Sequence, residues 1–199
     1  MENFETLDKE YKEAVMELQR TAKVSIMAHH DSEVFINLFR QHFLNGSRWL
    51  YQNKGNISRS NWTYHTACSM LLTCRDMDYK TEFEVLGRHD ACIRNELNEI
   101  VVYSEWEWNC HDIFGPGKEL QKLITSVEKD LNANALLLTY VEDGNYKLFL
   151  KEVYETWTKE TDATLYLMTP LVTKTEDISS IVSLRVVDIS REFVICWAD

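Results

Sequence analysis

The sequence predicts an α/β fold, a mixed β-sheet flanked by helices and preceded by an N-terminal helical region. Apolar residues recur at helical spacing through the first third of the chain, and short β-type segments begin near residue 81. Helical patterns then separate the later strands, which is typical of parallel crossovers inside a mixed sheet. A chain of 199 residues with 45% apolar content is long enough to form a packed core.

The first third of the chain predicts three helices. Apolar spacing indicates a helix from Glu5 to His30, and Asp31 and Ser32 are positioned to cap a second helix that Asn45-Gly46-Ser47 ends. Gln52 to Ser60 is loop-like, and Ser60 could cap a third helix from Asn61 to about Asp76. We assign residues 1–60 to a helical region packed on the core and residues 61–199 to the core itself.

The rest of the chain alternates strands with helices. Its predicted strands are Thr81–Val85, His89–Arg94, Glu99–Trp108, Ala135–Val141, Thr164–Met168, Ile181–Val187 and Phe193–Trp197. Gly115-Pro116-Gly117 opens a helix that runs to about Val127, and Asp143-Gly144-Asn145 opens another that includes Trp157. Asn95 to Asn98 forms the turn of a hairpin between the second and third strands.

Charge is distributed unevenly along the chain. The formal net charge is −11, which argues against nonspecific binding to nucleic acid. Val34 to Arg75 nevertheless contains no Asp or Glu, and aromatic residues alternate there with basic ones. Such a segment can bind a polyanion, with Arg48, Lys54 and Arg59 as candidate phosphate contacts. The alternative is a packed helical extension with a few solvated arginines.

The segment Ser104-Glu-Trp-Glu-Trp-Asn-Cys110 ends the third predicted strand. Side chains alternate along a strand, so Glu105 and Glu107 should share one face while Trp106 and Trp108 pack beneath the other. The hairpin turn predicts that Asp90 lies opposite Tyr103 and diagonal to Glu105.

Glu82 and Glu84 on the preceding strand could approach the same place. Carboxylates crowded in this way need a cation or a proton, and Mg²⁺ or Mn²⁺ suits oxygen ligands. The alternative is a solvated acidic face of the sheet.

The spacing of these residues resembles a nuclease motif. Arg88-His89-Asp90-Ala91-Cys92-Ile93 and Val101-Val102-Tyr103-Ser104-Glu105-Trp106-Glu107 resemble the two motif segments of the PD-(D/E)XK, or restriction-endonuclease-like, superfamily. In that superfamily an Asp begins the second strand and (D/E)xK closes the third. The resemblance covers about residues 61–140 and implies a restriction-endonuclease-like core.

The resemblance also implies roles for individual residues. Asp90 and Glu105, helped by the carbonyl of Trp106, would hold the metal, and Glu82 or Glu84 could reach a second one. Glu107 occupies the position of the usual lysine, so Glu107 or Lys122 would orient or deprotonate the attacking water. Lys118 lies one helical turn before Lys122 and is an alternative source of the basic group.

The expected activity is therefore metal-dependent hydrolysis of DNA phosphodiester bonds. Two alternatives remain open: cleavage of RNA, and an inactive nuclease-fold protein that binds or regulates a protein partner. Five cysteines without CxxC spacing and a charged N-terminus predict a cytoplasmic protein with free thiols. No apolar run reaches membrane-spanning length, so no membrane is expected, and a homodimer is compatible with the sequence.

Overall fold

The structure is a computed structural model that describes residues 33–47, 58–85, 89–142, 145–175, 178–190 and 194–197. The predicted helix Glu5–His30 lies outside the described residues, as do Arg48 and Lys54.

Four α-helices and eight strands make up the described chain. The helices are α1 (residues 33–47), α2 (Arg59–Asp76), α3 (Glu119–Val127) and α4 (Tyr146–Glu160). The strands are β1 (Lys80–Val85), β2 (His89–Arg94), β3 (Ile100–Glu107), β4 (Asn134–Thr139), β5 (Val141–Glu142), β6 (Leu165–Thr175), β7 (Ile178–Ile189) and β8 (Val194–Trp197). A short 3₁₀ helix, Cys110–Ile113, follows β3.

All eight strands belong to one mixed sheet. Its order is β1-β2-β3-β4-β6-β7-β8, and the short β5 pairs with β6. Antiparallel pairing joins β1, β2 and β3 and also β6, β7 and β8, whereas β3, β4 and β6 are parallel. The parallel pairs arise because α3 connects β3 to β4 and α4 connects β4 to β6. The predicted α/β class with a mixed sheet is confirmed.

Helices cover both faces of the sheet. Leu120, Leu123 and Val127 of α3 are buried at helical spacing and pack in one cluster with apolar residues of α4. Phe35 and other aromatic residues of α1 pack with α2 against the opposite face. In β4, Leu137 joins the first cluster and its neighbours join the second, which explains its continuous apolar sequence.

The two N-terminal helices pack closely at Gly46. A Cβ atom at this position would lie 2.8 Å from Nε2 of His65, so a larger side chain would collide with that ring. The same Nε2 atom lies 2.9 Å from the carbonyl oxygen of Phe43, and the two rings stack. Burial lowers the pKa of His65 to about 4, although the hydrogen bond to Phe43 acts in the other direction.

Several predicted boundaries differ from the observed ones. Helix α1 includes Asn45, Gly46 and Ser47, and Ser47 is its last described residue. Ser58, and not Ser60, caps α2, because its side chain accepts a hydrogen bond from the backbone N–H of Asn61. Strands β6 and β7 extend beyond their predicted limits because they pair with each other as a long hairpin.

Two further findings concern the cysteines and the search for a membrane-spanning helix. Cys68, Cys74, Cys92 and Cys110 are free thiols. Over the residues that the structure describes, no helix combines the length and apolar character needed to cross a membrane.

Candidate functional site

The pairing of β2 with β3 brings Asp90 and Glu105 together. Ala91 pairs with Ser104 and Cys92 pairs with Tyr103, so the next position of β2, Asp90, falls opposite Glu105. The predicted pairing of Asp90 with Tyr103 is therefore wrong. Arg94 pairs with Ile100, already one residue beyond the predicted register, and a β-bulge between Ile93 and Arg94 shifts every later pair by one more.

Glu105 is buried, and both of its carboxylate oxygens have partners. Its side chain is only 1% exposed. Oε1 lies 2.7 Å from Nδ1 of His89, and Oε2 lies 3.3 Å from Nζ of Lys122. A buried carboxylate needs such partners, because removal from water is costly for a charge that is not paired.

Lys122 connects α3 to the end of the sheet. Its Nζ atom donates to Oε2 of Glu105 and, at 3.4 Å, to Oε1 of Glu119. Burial alone would lower the pKa of Lys122, but the charges and hydrogen bonds of Glu105 and Glu119 outweigh it and raise the pKa. Lys122 is therefore a cation at neutral pH and acts as a hydrogen-bond donor.

Asp90 lies at the point where β2 stops pairing with β3. Its Oδ2 atom accepts a hydrogen bond of 2.7 Å from the backbone N–H of Trp106. Burial raises the pKa of Asp90 to about 7, and the charge of Glu105 adds to that effect, while the Trp106 hydrogen bond and Lys122 oppose it. Near neutral pH a cation beside this carboxyl group would therefore stabilise its charged form.

Glu107 has contacts different from those of Glu105. Its Oε1 atom accepts from the backbone N–H groups of Trp108, at 2.7 Å, and Asn109, at 3.4 Å. Its Oε2 atom lies 3.5 Å from the guanidinium of Arg59. These contacts hold the chain as it leaves β3, so Lys122 and not Glu107 supplies the polar group beside Glu105.

The two indoles lie on the opposite face of β3 from Glu105, among residues of α1 and α2. Most of each indole is buried, although neither is fully enclosed. Trp106 contacts Phe83 edge to face, and Trp108 contacts the rings of Trp62 and Tyr140. These contacts fix the backbone that carries Glu105.

The two residues predicted to reach a second metal lie on β1. Glu82 is paired with Arg94 at 3.1 Å, and its side chain is 45% exposed. Glu84 lies between Phe83 and Val85, which pair with Ala91 and His89, so its position is opposite Asp90. Its φ angle is +52°, which interrupts the ladder, and its side chain is exposed. Neither side chain is therefore held against the carboxylates of Asp90 and Glu105.

Of the three candidate phosphate contacts, the structure describes Arg59. Its side chain is 74% exposed at the first position of α2 and reaches Glu107. This contact places one basic residue of the acid-free segment at the end of β3. Lys118, the alternative to Lys122, is exposed and stands at the N-cap of α3 without a side-chain hydrogen bond to the helix.

The donor set at the site fits a hard divalent cation. Mg²⁺ is held in proteins by one or two carboxylates and keeps several water ligands. Asp90 and Glu105 provide two carboxylates at one place, and the Trp106 carbonyl remains a predicted third oxygen. Among the described residues, no set of three or more His, Cys, Asp or Glu side chains is arranged to hold a metal ion. A cation at this place would therefore have at most two such side chains of the described residues as ligands.

Three residues of the site were not predicted from the sequence. His89 contacts Glu105 and Ser126, and Glu119 shares Lys122 with Glu105. Ser126 and Glu119 lie on α3, and no local pattern links them to β2 and β3. His89 stands directly before Asp90, and this adjacency was the only signal in the sequence.

Comparisons with known proteins do not assign the chain to a family. A scan against protein-family models gives no match, and a search of curated proteins gives none either.

Proposed function

We propose that this protein is a metal-dependent nuclease that hydrolyses DNA phosphodiester bonds on a restriction-endonuclease-like core. One observation carries the proposal: Asp90 of β2 and Glu105 of β3 converge with Lys122 of α3, whose Nζ atom lies 3.3 Å from Glu105. Two acids on adjacent strands and a lysine close to the second acid are the elements that the motif resemblance requires. The succession of three antiparallel strands, a helix and a parallel strand supports it too.

Each residue would have a distinct role in this reaction. Asp90 and Glu105 would hold Mg²⁺ or Mn²⁺, with the Trp106 carbonyl as a further oxygen. A bound divalent cation lowers the pKa of a coordinated water and stabilises negative charge on a phosphate. Lys122 is protonated, so it would donate a hydrogen bond to the water or the phosphate and would not act as the base. Arg59 would contact the nucleic-acid backbone at the rim of the site.

The proposal is tested by incubating plasmid and single-stranded DNA with the protein in Mg²⁺, Mn²⁺ or EDTA. We expect cleavage in either metal and none in EDTA. Asp90→Ala and Lys122→Met should each abolish cleavage, whereas Lys118→Met should retain it. Lys118 is the matched control because it is an exposed lysine one turn earlier along the same helix. Equal activity of the two lysine variants would contradict the role given to Lys122.

Binding to nucleic acid is tested separately by a salt titration. Arg59→Ala should weaken DNA binding and reduce the slope of log K against log salt by about one unit. Lys151→Ala is the control, because Lys151 is equally exposed but lies on α4, across the sheet from α2. The combined replacement of Arg48, Lys54 and Arg59 should reduce the slope further. An unchanged slope would indicate that the acid-free segment is only a packed helical extension and does not contact DNA.

The second candidate is an inactive nuclease-fold protein that binds or regulates a protein partner. The net charge of −11 favours it, and so does the pairing of both Glu105 oxygens with the side chains of His89 and Lys122. A calorimetric titration distinguishes the candidates. Heat of Mn²⁺ binding that disappears in Asp90→Ala supports the nuclease. Absence of binding at millimolar Mn²⁺ supports the regulatory protein.

A further inference from the structure

His89 links the candidate site to helix α3 through both nitrogens of its ring. Nδ1 lies 2.7 Å from Oε1 of Glu105, and Nε2 lies 2.6 Å from the hydroxyl of Ser126. The imidazole is 1% exposed, as is the carboxylate it contacts. Its ring also lies against Tyr103, with the ring centres 5.0 Å apart. These contacts leave the ring little freedom to rotate.

The hydrogen-bonding capacities of these groups determine which atom donates. An ionised carboxylate can only accept hydrogen bonds, so Nδ1 of His89 donates to Glu105. In a neutral imidazole the other nitrogen then accepts, and the Ser126 hydroxyl can donate to it. The Glu105 carboxylate thus requires a proton on Nδ1, and the Ser126 hydroxyl, which can donate or accept, holds the other ring nitrogen in place. A second group that orients a ligand in this way is common around metal sites.

This arrangement makes the two oxygens of Glu105 unequal. Oε1 faces His89, which is almost completely buried, and its position is fixed from the interior. Oε2 faces Lys122, whose side chain is 27% exposed and therefore adjoins solvent. A cation that reaches Oε2 would therefore have to displace Lys122 or share the oxygen with it, while the bond between His89 and Oε1 could stay in place.

We infer that His89 and Ser126 are positioning residues that hold Oε1 of Glu105, so that Glu105 offers a divalent cation its Oε2 oxygen alone. This inference rests on the proposed function, because that function requires the cation. It specifies which oxygen of Glu105 would bind the cation. The electrostatic partner of Oε2, Lys122, would shift aside or share that oxygen when the cation binds. His89 itself would touch neither the cation nor the substrate.

Two substitutions of His89 separate hydrogen bonding from packing. In His89→Asn the amide nitrogen can take the place of Nδ1 and still donate to Glu105, while the contact with Ser126 is lost. In His89→Gln the amide nitrogen can reach the place of Nε2, so the bond to Glu105 is lost instead. Each full-length variant is titrated calorimetrically with Mn²⁺ alone, and thermal unfolding verifies that it is folded. Ser126→Ala, which alters only the helix side of the contact, is measured alongside them.

We expect His89→Gln to weaken Mn²⁺ binding by about 10–100-fold, the usual effect of losing a group that orients a metal ligand. His89→Asn should bind Mn²⁺ nearly as well as the parent. Equal affinity of His89→Gln and the parent would overturn the inference while leaving the nuclease proposal intact. Equal weakening in both variants would also overturn it, because packing would then explain the loss.

A measurement without metal separates this inference from the proposed function. The ¹⁵N spectrum of the parent at neutral pH should show the His89 ring protonated at Nδ1, and Ser126→Ala should keep that proton, because Glu105 still accepts it. If the parent binds no Mn²⁺, the proposed function is refuted. The tautomer of His89 would then still test whether its ring donates a hydrogen bond to Oε1 of Glu105. A His89 ring protonated at Nε2 alone would overturn the inference, whether or not the metal binds.

Discussion

Replacement of Asp90 by Asn should change how the stability of the protein depends on pH. Asp90 is partly buried beside Glu105, and its pKa is raised from 3.8 to about 7, chiefly by burial. Asn has nearly the same shape and no ionisable group, and its amide oxygen can still accept the hydrogen bond from Trp106. The substitution therefore removes the charge and keeps the packing.

The size of the effect follows from the difference between the two pKa values. Below about pH 4 the carboxyl group is protonated in both the folded and the unfolded chain. From 3.8 to about 7 the unfolded chain releases the proton while the folded chain keeps it, so the free energy of unfolding falls as pH rises. At ~1.4 kcal/mol per pH unit, the total loss by pH 8 is about 4 kcal/mol.

Denaturant unfolding of the parent and Asp90→Asn at several pH values measures this effect. We expect the stability of Asp90→Asn relative to the parent to rise by about 3–4 kcal/mol between about pH 4 and about pH 8. Contributions of groups that do not interact with Asp90, such as His65, are the same in both proteins and cancel. Glu96→Gln is the control, because Glu96 is exposed in the turn between β2 and β3.

Two outcomes would refute the reasoning. Parallel stability profiles for the parent and Asp90→Asn would mean that Asp90 ionises in the folded protein as easily as in the unfolded one. A relative stability that falls with rising pH would mean that Lys122 and the Trp106 hydrogen bond outweigh burial. Millimolar Mn²⁺ should raise the stability of the parent at about pH 8 and leave Asp90→Asn unchanged, because binding to the folded state stabilises it.

Three further predictions concern the face of the sheet covered by α1 and α2. Gly46→Ala should cost about 1–3 kcal/mol, since its Cβ would lie 2.8 Å from Nε2 of His65, and exposed Asn45→Ala is the control in denaturant unfolding. Acidification from pH 6.5 to about 4 should lower the free energy of unfolding by about 3 kcal/mol through His65, because the unfolded chain binds a proton that the folded chain does not. His65→Gln should lose this pH dependence in the same assay. Trp62→Ala should cost about 3–5 kcal/mol in thermal unfolding, and Trp106→Ala should cost less because Trp106 is not fully buried. A larger loss for Trp106 than for Trp62 would contradict its partial exposure.

The sequence predicted the elements of this fold well because the signals for them are local. Leu120, Leu123 and Val127 repeat at helical spacing, and they alone indicate the buried face of α3. The continuous apolar run of β4 likewise indicated a strand covered on both faces. Helix ends were less predictable, because the choice of Ser58 over Ser60 as the cap of α2 depends on a single side-chain hydrogen bond.

For the candidate site, the sequence by itself determined that Asp90 and Glu105 lie on neighbouring strands and that the indoles face away from Glu105. Tertiary structure decided the rest. The turn joins Asn95 to Glu99, one residue beyond the predicted register, and the β-bulge adds one more residue, which places Asp90 opposite Glu105. The sequence pattern signals neither shift. The partners of Glu105 are His89 of β2 and Lys122 of α3. His89 in turn contacts Ser126, which lies 37 residues later in the chain. Such contacts depend on how a helix packs on a sheet, which no local pattern encodes, because packing responds to the whole chain at once.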